Sequence, residues 1–210
     1  MHIAILTFQG FNELDSLVAL GVLNRVRKTG WRVTLCCPES TVTSMNGVTV
    51  HAQSALAEAA GADAVIVGSG IRTREIVGDS SLMSTLRLDP GRQLIGAQCS
   101  GTLVLAKLGL LADVPACTDL TTRPWVQEAG VEVLNQPFFA FGNVATAGGC
   151  FASQYLAAWI IARFEGEEAA RAALHYVAPV GEKDAYVDRA MKNISPYLRG
   201  AEAPSERVAV

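Results

Sequence analysis

Long charged runs, paired zinc-type cysteines and apolar stretches of bilayer length are all missing from this 210-residue chain. Charged residues make up only 18% of it, against roughly 25% in an average soluble domain. The 17 basic and 20 acidic residues leave a formal net charge of −3. No Lys/Arg cluster exists to neutralise phosphates, so nucleic acid is not an expected partner. Half of the residues are apolar, which excludes global disorder. The five cysteines (Cys36, Cys37, Cys99, Cys117 and Cys150) form no C-x-x-C pair and no zinc spacing, so no metal or other cofactor is expected. Neither Lys nor Arg precedes the first apolar run, which therefore does not read as a signal peptide. An odd thiol count without an export signal fits a reduced, cytoplasmic protein. The apolar runs fall short of the roughly 20 residues that span a bilayer, so no membrane is expected as a partner either. With so little charge, some of the surface is expected to be covered by a subunit interface.

What is present alternates between strand and helix. His2 to Thr7 is a short, continuous apolar run of the kind that fills a strand buried on both faces. Apolar residues at helical spacing run from Leu14 to Lys28, and Trp31 to Cys36 reads as a second strand. Thr41 to Val50 holds two β-rich runs around Asn46-Gly47, a strong hairpin signal. A short helix capped by Ser54 is expected through Ala60, then a strand over 62–67, a helix near 73–87 and a strand over 93–97. This βαβ rhythm implies right-handed crossovers in a mostly parallel sheet. The second half predicts a helix opening at Cys99, a helix near 122–129, short strands at 131–134, 138–141 and 143–146, and helices over 151–164, 167–176 and 182–194. No repeat or linker divides the chain. One domain over 1–195 is expected, with a loose tail over 196–210.

The most informative stretch is Ala97-Gln98-Cys99-Ser100-Gly101, where a strand runs directly into a helix with a thiol at the junction. Such a turn lifts the junction side chain above the C-terminal edge of the sheet and surrounds it with the N–H groups of the new helix. Those groups and the helix dipole predict a thiol pKa lowered toward the thiolate. The alternative is that Cys99 is one more small buried hydrophobe, as free cysteine often is. Other strand ends should open on the same crevice. After the first strand come Glu13 and Asp15, either of which can cap the helix or favour its positive end. Gly68-Ser69-Gly70 follows the strand 62–67 and offers a backbone N–H as an oxyanion donor, or is simply a flexible turn. It lacks the third glycine of a dinucleotide fingerprint.

Together these residues resemble the ThiJ/PfpI superfamily of class I glutamine amidotransferase-like folds, over roughly residues 1–165. The specific pieces are Ala97-Gln98-Cys99-Ser100-Gly101 and the run from Gly10 to Asp15. The resemblance implies an α/β, flavodoxin-like three-layer sandwich with a mostly parallel sheet and a nucleophile-elbow cysteine. It makes Cys99 similar to the family nucleophile and Asp15 similar to the acid that hydrogen-bonds its sulfur. Gly70 and Ser100 fall on the oxyanion positions, with Ile71 beside them as a further substrate-pocket residue. Aspartate at the acid position, and the run Ala147 to Ser153 before an apolar helix, are closest to the isocyanide hydratases and the ligand domains of AraC-type regulators. Arg123 stands where many relatives carry histidine, and arginine cannot act as a base. His2, His51 and His175 are not placed near Cys99, so activities that need a histidine base are disfavoured. Gly68-Ser69-Gly70-Ile71 replaces the Pro-Gly-Gly common in relatives.

The expected function is a cysteine-dependent hydratase or hydrolase acting on a small electrophilic substrate, with an Asp15 pKa raised by burial serving proton transfer. Cys99 is expected to oxidise readily to a sulfinic acid. The alternative is a non-catalytic ligand or redox sensor, or a stress-response protein, of the same fold. AraC-type regulators carry a helix-turn-helix region after such a domain, and 210 residues leave no room for one, so a free-standing sensor would act through a partner protein. Cys150 is expected to approach the pocket through the Gly148-Gly149 turn, with Cys36, Cys37 and Cys117 left to packing. A homodimer burying the first helix is expected from the resemblance.

Overall fold

The computed structural model describes residues 1–198. Strands β1 (His2–Leu6), β2 (Arg32–Cys37), β5 (Ser54–Ala55), β6 (Ala64–Val67), β7 (Leu94–Gln98), β8 (Phe138–Phe141) and β9 (Val144–Ala147) form one sheet in the order β5-β2-β1-β6-β7-β9-β8. All its pairings are parallel except β8 against β9. The expected hairpin is a separate antiparallel ribbon of β3 (Thr41–Thr43) and β4 (Thr49–His51), with Gly47 at φ 89° in its turn.

Each central strand feeds two cores, which is why its sequence is apolar without alternation. Ile3 and Ile5 of β1 and Ala64 and Ile66 of β6 face one layer. That layer holds α1 (Glu13–Leu23), α6 (Ser153–Glu165), α7 (Glu167–Val177) and α8 (Lys183–Ile194). Ala4 and Leu6, with Val65 and Val67, face the other. There lie a 3-10 turn (Leu56–Gly61), α2 (Thr73–Gly78), α3 (Ser80–Thr85), α4 (Gly101–Lys107) and α5 (Arg123–Glu128). The result is the flavodoxin-like three-layer α/β sandwich. Helix α6 is buried along most of its length because it lies centrally on the sheet, where Leu156 packs over the bare Cα of Gly96. Each such fully buried apolar side chain contributes roughly 1.5–3 kcal/mol relative to exposure.

Several elements depart from the sequence expectation. The helix expected near 73–87 is two short helices, because Asp79 adopts an extended backbone and its carboxylate accepts from the Leu82 N–H, restarting the helix. Helix α1 ends at Leu23 rather than Lys28, where Asn24 turns its side-chain amide back onto the Leu20 carbonyl. Ser54 does not cap a helix; it belongs to the two-residue edge strand that precedes the 3-10 turn. Residues 131–134 form only an isolated bridge between Val133 and Ala116, since Pro115 beside it cannot donate to a longer ladder. Beyond the expected domain boundary at residue 195, Tyr197 still packs against Phe138 and Phe139, with ring centroids 5.7 and 5.4 Å away. Residues 199–210, most of the expected tail, lie outside the described residues. No helix among the described residues is long and apolar enough to cross a membrane.

Candidate active site

The strand order places the C-terminal ends of β1, β6, β7 and β9 side by side, so the segments that leave them converge on one crevice. Backbone hydrogen bonds tie these segments together. The Asn12 N–H donates to Ser69 O at 2.9 Å, Ile71 N–H to Gly10 O at 3.0 Å, and Cys99 N–H to Ala147 O at 2.8 Å.

Cys99 sits between β7 and α4 at φ 47°, a left-handed conformation that a non-glycine residue adopts only under tertiary constraint. The constraint is visible on both sides. Thr118 Oγ1 donates to the Cys99 carbonyl at 2.8 Å. Gln98 Nε2 donates to Gly149 O at 2.8 Å and to Cys99 Sγ at 3.4 Å. Gly101 follows because a Cβ there would strike the carbonyl oxygens of Val67 and Gly68. The small residue in the motif therefore lets α4 start directly against β6.

Asp15, in the first turn of α1, has no exposed surface. It does not cap the helix; Asn12 does, accepting from the Leu14 N–H at 3.1 Å. Glu13 is spent elsewhere, on Ser44 Oγ and on Asn46 Nδ2 of the hairpin. Asp15 Oδ2 accepts from Ser69 Oγ, while Oδ1 is buried without a hydrogen-bond partner among the described residues. A carboxylate oxygen of Asp15 and the sulfurs of Cys99 and Cys150 all lie within 4.8 Å of one another. Cys150 enters from the 3-10 turn after Gly149, where it accepts from Asn12 Nδ2 at 3.3 Å.

Burial raises the Asp15 pKa above its ordinary value and outweighs the hydrogen bond from Ser69. The lowered thiol pKa expected for Cys99 is overturned. Burial pushes it up strongly, and the negative charges of Asp15 and Asp119 add to this. Helix α4 has only seven residues, and its dipole does not offset two carboxylates and the loss of water. Burial and Asp15 raise Cys150 as well. In the resting cluster, ionisation of one member opposes ionisation of the others.

The remaining expected residues are distributed unevenly. Ser100 adjoins Cys99, and its N–H has no acceptor among the described residues. The Gly70 N–H is already engaged, donating to Ser100 Oγ at 3.1 Å, and that hydroxyl also lies 2.7 Å from Thr73 Oγ1. Ile71 is 63% exposed, with its N–H spent on Gly10. Arg123 donates to Val133 O at 3.2 Å and lines a cavity of about 400 Å³ with Thr118, Asp119, Gly148 and Gly149, next to the elbow. His2 lies at the N-terminal edge of the sheet, opposite the site, bonded to Thr34. Cys36 and Cys37 point to opposite faces of the sheet; Cys37 and Cys117 are pushed up to about 11 and about 12 by burial. Sequence reasoning missed the side chains of Ser69, Gln98 and Asn12. Polar residues flanking a strand-end motif were the only signal available for them.

The Asp15 pKa generates a test through protein stability. Its raised native value means that the folded state keeps a proton the unfolded carboxyl loses near its ordinary value of 3.8. The native state then binds more protons, and the stability contributed by this group falls as pH rises from 3.8 through the native pKa. Asp15→Asn, which cannot ionise, should gain stability relative to the wild type as pH is raised through that range. Denaturation midpoints against pH check this, and a pH-independent difference contradicts it.

No curated protein matches the sequence. Among solved structures, Drosophila melanogaster DJ-1beta is similar at a TM-score of 0.71 and 22% identity, covering 84% of this chain and 96% of that one. An AraC family transcriptional regulator from Pseudomonas putida matches at 0.69 and 17%, covering 84% and 99%. A ThiJ/PfpI family protein from Pseudomonas syringae matches at 0.69 and 17%, covering 92% and 87%. At these identities the likeness is one of fold. The family itself is fixed by a sequence model, that of the DJ-1/PfpI family, which matches residues 1–163 and so takes in β1, the strained cysteine and the start of α6. The chain belongs to the DJ-1/PfpI family.

Proposed function

We propose that the protein is a cysteine-dependent enzyme of hydratase or hydrolase type that acts on a small electrophilic substrate, with isocyanides as the leading class. The observation that carries this reading is the pair formed by a strained, buried thiol and a fully buried carboxylate with one oxygen unpartnered among the described residues. Such a pair holds its nucleophile as a neutral thiol and activates it only during attack. Cys99 Sγ bonds to the terminal carbon of an isocyanide while its proton passes to Asp15. Asp15 returns that proton to the carbon, leaving a thioimidate. Water then adds to the same carbon, the C–S bond breaks, the sulfur recovers a proton, and an N-substituted formamide leaves. A hydrolase would use the same two residues on an activated acyl carbon.

The Ser100 N–H, without an acceptor among the described residues, is a backbone donor available to developing negative charge. Gly70 joins it when the Ser100 hydroxyl rotates away. With arginine rather than histidine at position 123, Asp15 is the proton-transfer group of this reading. The presence of Cys150 in the cluster favours a second reading, a redox sensor of the same fold.

We also propose a cytoplasmic homodimer that covers α1. Leu14 and Met45 (each 43% exposed) and Phe151 (66%) flank the start of this helix. Met45 N–H donates to Phe11 O just before the helix, and Ser153 Oγ, two residues after Phe151, donates to Leu14 O within it. Light scattering should give twice the chain mass, and a monomer contradicts the proposal.

Formamide production from an aliphatic isocyanide tests the reaction. Cys99→Ser should abolish it, and Asp15→Asn should lower turnover by about 10²–10⁴, the usual contribution of a positioned acid–base group. Turnover by Cys99→Ser at the wild-type rate would overturn the reading.

A further inference from the structure

We propose that Cys150 is a resolving thiol for Cys99, so that oxidation of this protein ends in an intramolecular disulfide rather than in a sulfinic acid. The inference rests on Cys99 being the reactive thiol of the reading above, but not on any particular substrate.

Four observations carry it. The two sulfurs share one carboxylate, and all three groups lie within 4.8 Å of one another, so the thiols have a common proton acceptor. That acceptor has capacity left, because Asp15 Oδ1 is buried and unpartnered among the described residues. Each sulfur also receives its own N–H donor: Gln98 Nε2 on Cys99 at 3.4 Å and Asn12 Nδ2 on Cys150 at 3.3 Å. These donors hold the sulfurs toward the centre of the cluster and stabilise charge that develops on either of them. The two cysteines also differ in setting. Cys99 is fixed at a strained elbow, whereas Cys150 lies half-buried on a turn that begins at Gly149, φ 89°, beside exposed Phe151. The less buried partner of the pair is thus the one a reductant can reach. Cys36 and Cys37 are buried in the two cores, Cys117 is buried as well, and all three lie outside the cluster.

The chemistry balances with a hydroperoxide as oxidant. Cys99 gives its proton to Asp15 as its sulfur bonds to one peroxide oxygen and the O–O bond breaks; with hydrogen peroxide the departing hydroxide takes that proton and leaves as water, and the Cys99 sulfenic acid remains. Cys150 Sγ then attacks Cys99 Sγ while Asp15 takes the Cys150 proton. Asp15 delivers that proton to the departing hydroxide, which leaves as a second water, and the S–S bond forms. Rotation of the Cys150 side chain with a shift of its turn brings the sulfurs to the roughly 2.05 Å of a disulfide. A dithiol reductant reverses the final state by exchange, transferring its two electrons and two protons. Without Cys150, the cluster holds no second thiol, and the sulfenic acid continues to the irreversible sulfinic acid.

Treatment of the dilute, purified protein with excess hydrogen peroxide, followed by denaturation, alkylation and peptide mapping, tests this. In the wild type, Cys99 and Cys150 should become unavailable to alkylation together. The mass should fall by two hydrogens, and one linked peptide pair should revert with dithiothreitol. Cys150→Ala should instead gain oxygen on Cys99. Asp15→Asn should form the disulfide at least about tenfold more slowly, given the usual worth of a proton-transfer group. Sulfinic acid on wild-type Cys99 with Cys150 still alkylatable would overturn this inference alone, as would a linkage only between chains. A Cys99 inert to both peroxide and alkylating agents would overturn it together with the proposed function.

Discussion

Asp15 sits in the first turn of α1 with no exposed surface and makes no ion pair among the described residues, so ionising it is costly. One hydroxyl, from Ser69, offsets part of that cost. The rest acts on the neighbouring sulfurs, because a charged Asp15 discourages a thiolate and a protonated Asp15 permits one. The cluster therefore trades protons rather than storing a thiolate. A nucleophile activated this way is quiet at rest and generated by the approach of an electrophile. That behaviour suits both the proposed reaction and a thiol that must survive between turnovers.

The fold makes this arrangement possible by bringing unrelated segments to one edge. Parallel strands β1, β6, β7 and β9 end together, so an acid from the helix after the first, a serine after the second, a cysteine after the third and a second cysteine after the fourth meet without being near in sequence. The close approach that this requires is met by bare Cα positions. A side chain at Gly101 would collide with the end of β6, one at Gly70 with the Gly10 carbonyl, and one at Gly148 with Thr118. The same closeness forces Cys99 into a left-handed backbone, a strain repaid by the Thr118 and Gln98 hydrogen bonds around it.

What could be read from the sequence was whatever local pattern controls. The two-faced burial of β1 and β6 writes itself as continuous apolar runs, and the hairpin is announced by Asn46-Gly47. The motif around Cys99 shows because strand, thiol and small residue are consecutive. Asp15 was reached through family resemblance, since spacing alone did not separate its role from that of Glu13. What stayed hidden depends on tertiary partners. The break at Asp79 turns on a side chain preferring the Leu82 N–H to helix continuation. The engagement of Gly70 by Ser100, and the outward turn of Ile71, follow from how two loops cross. The direction of the Cys99 pKa is hidden because a helix start is visible in sequence, whereas burial and the convergence of Asp15 and Asp119 are not. Cys150 was placed near the pocket by its glycine turn, but its distance from Asp15 is a property of the folded chain.

The central claim is that the site rests with Cys99 as a neutral thiol beside Asp15. The ultraviolet absorbance of the thiolate, taken as the difference between wild type and Cys99→Ser across a pH titration, measures this directly. The account predicts no Cys99 thiolate at neutral pH, with the signal appearing only well into the alkaline range. A thiolate already formed at or below neutral pH would contradict it.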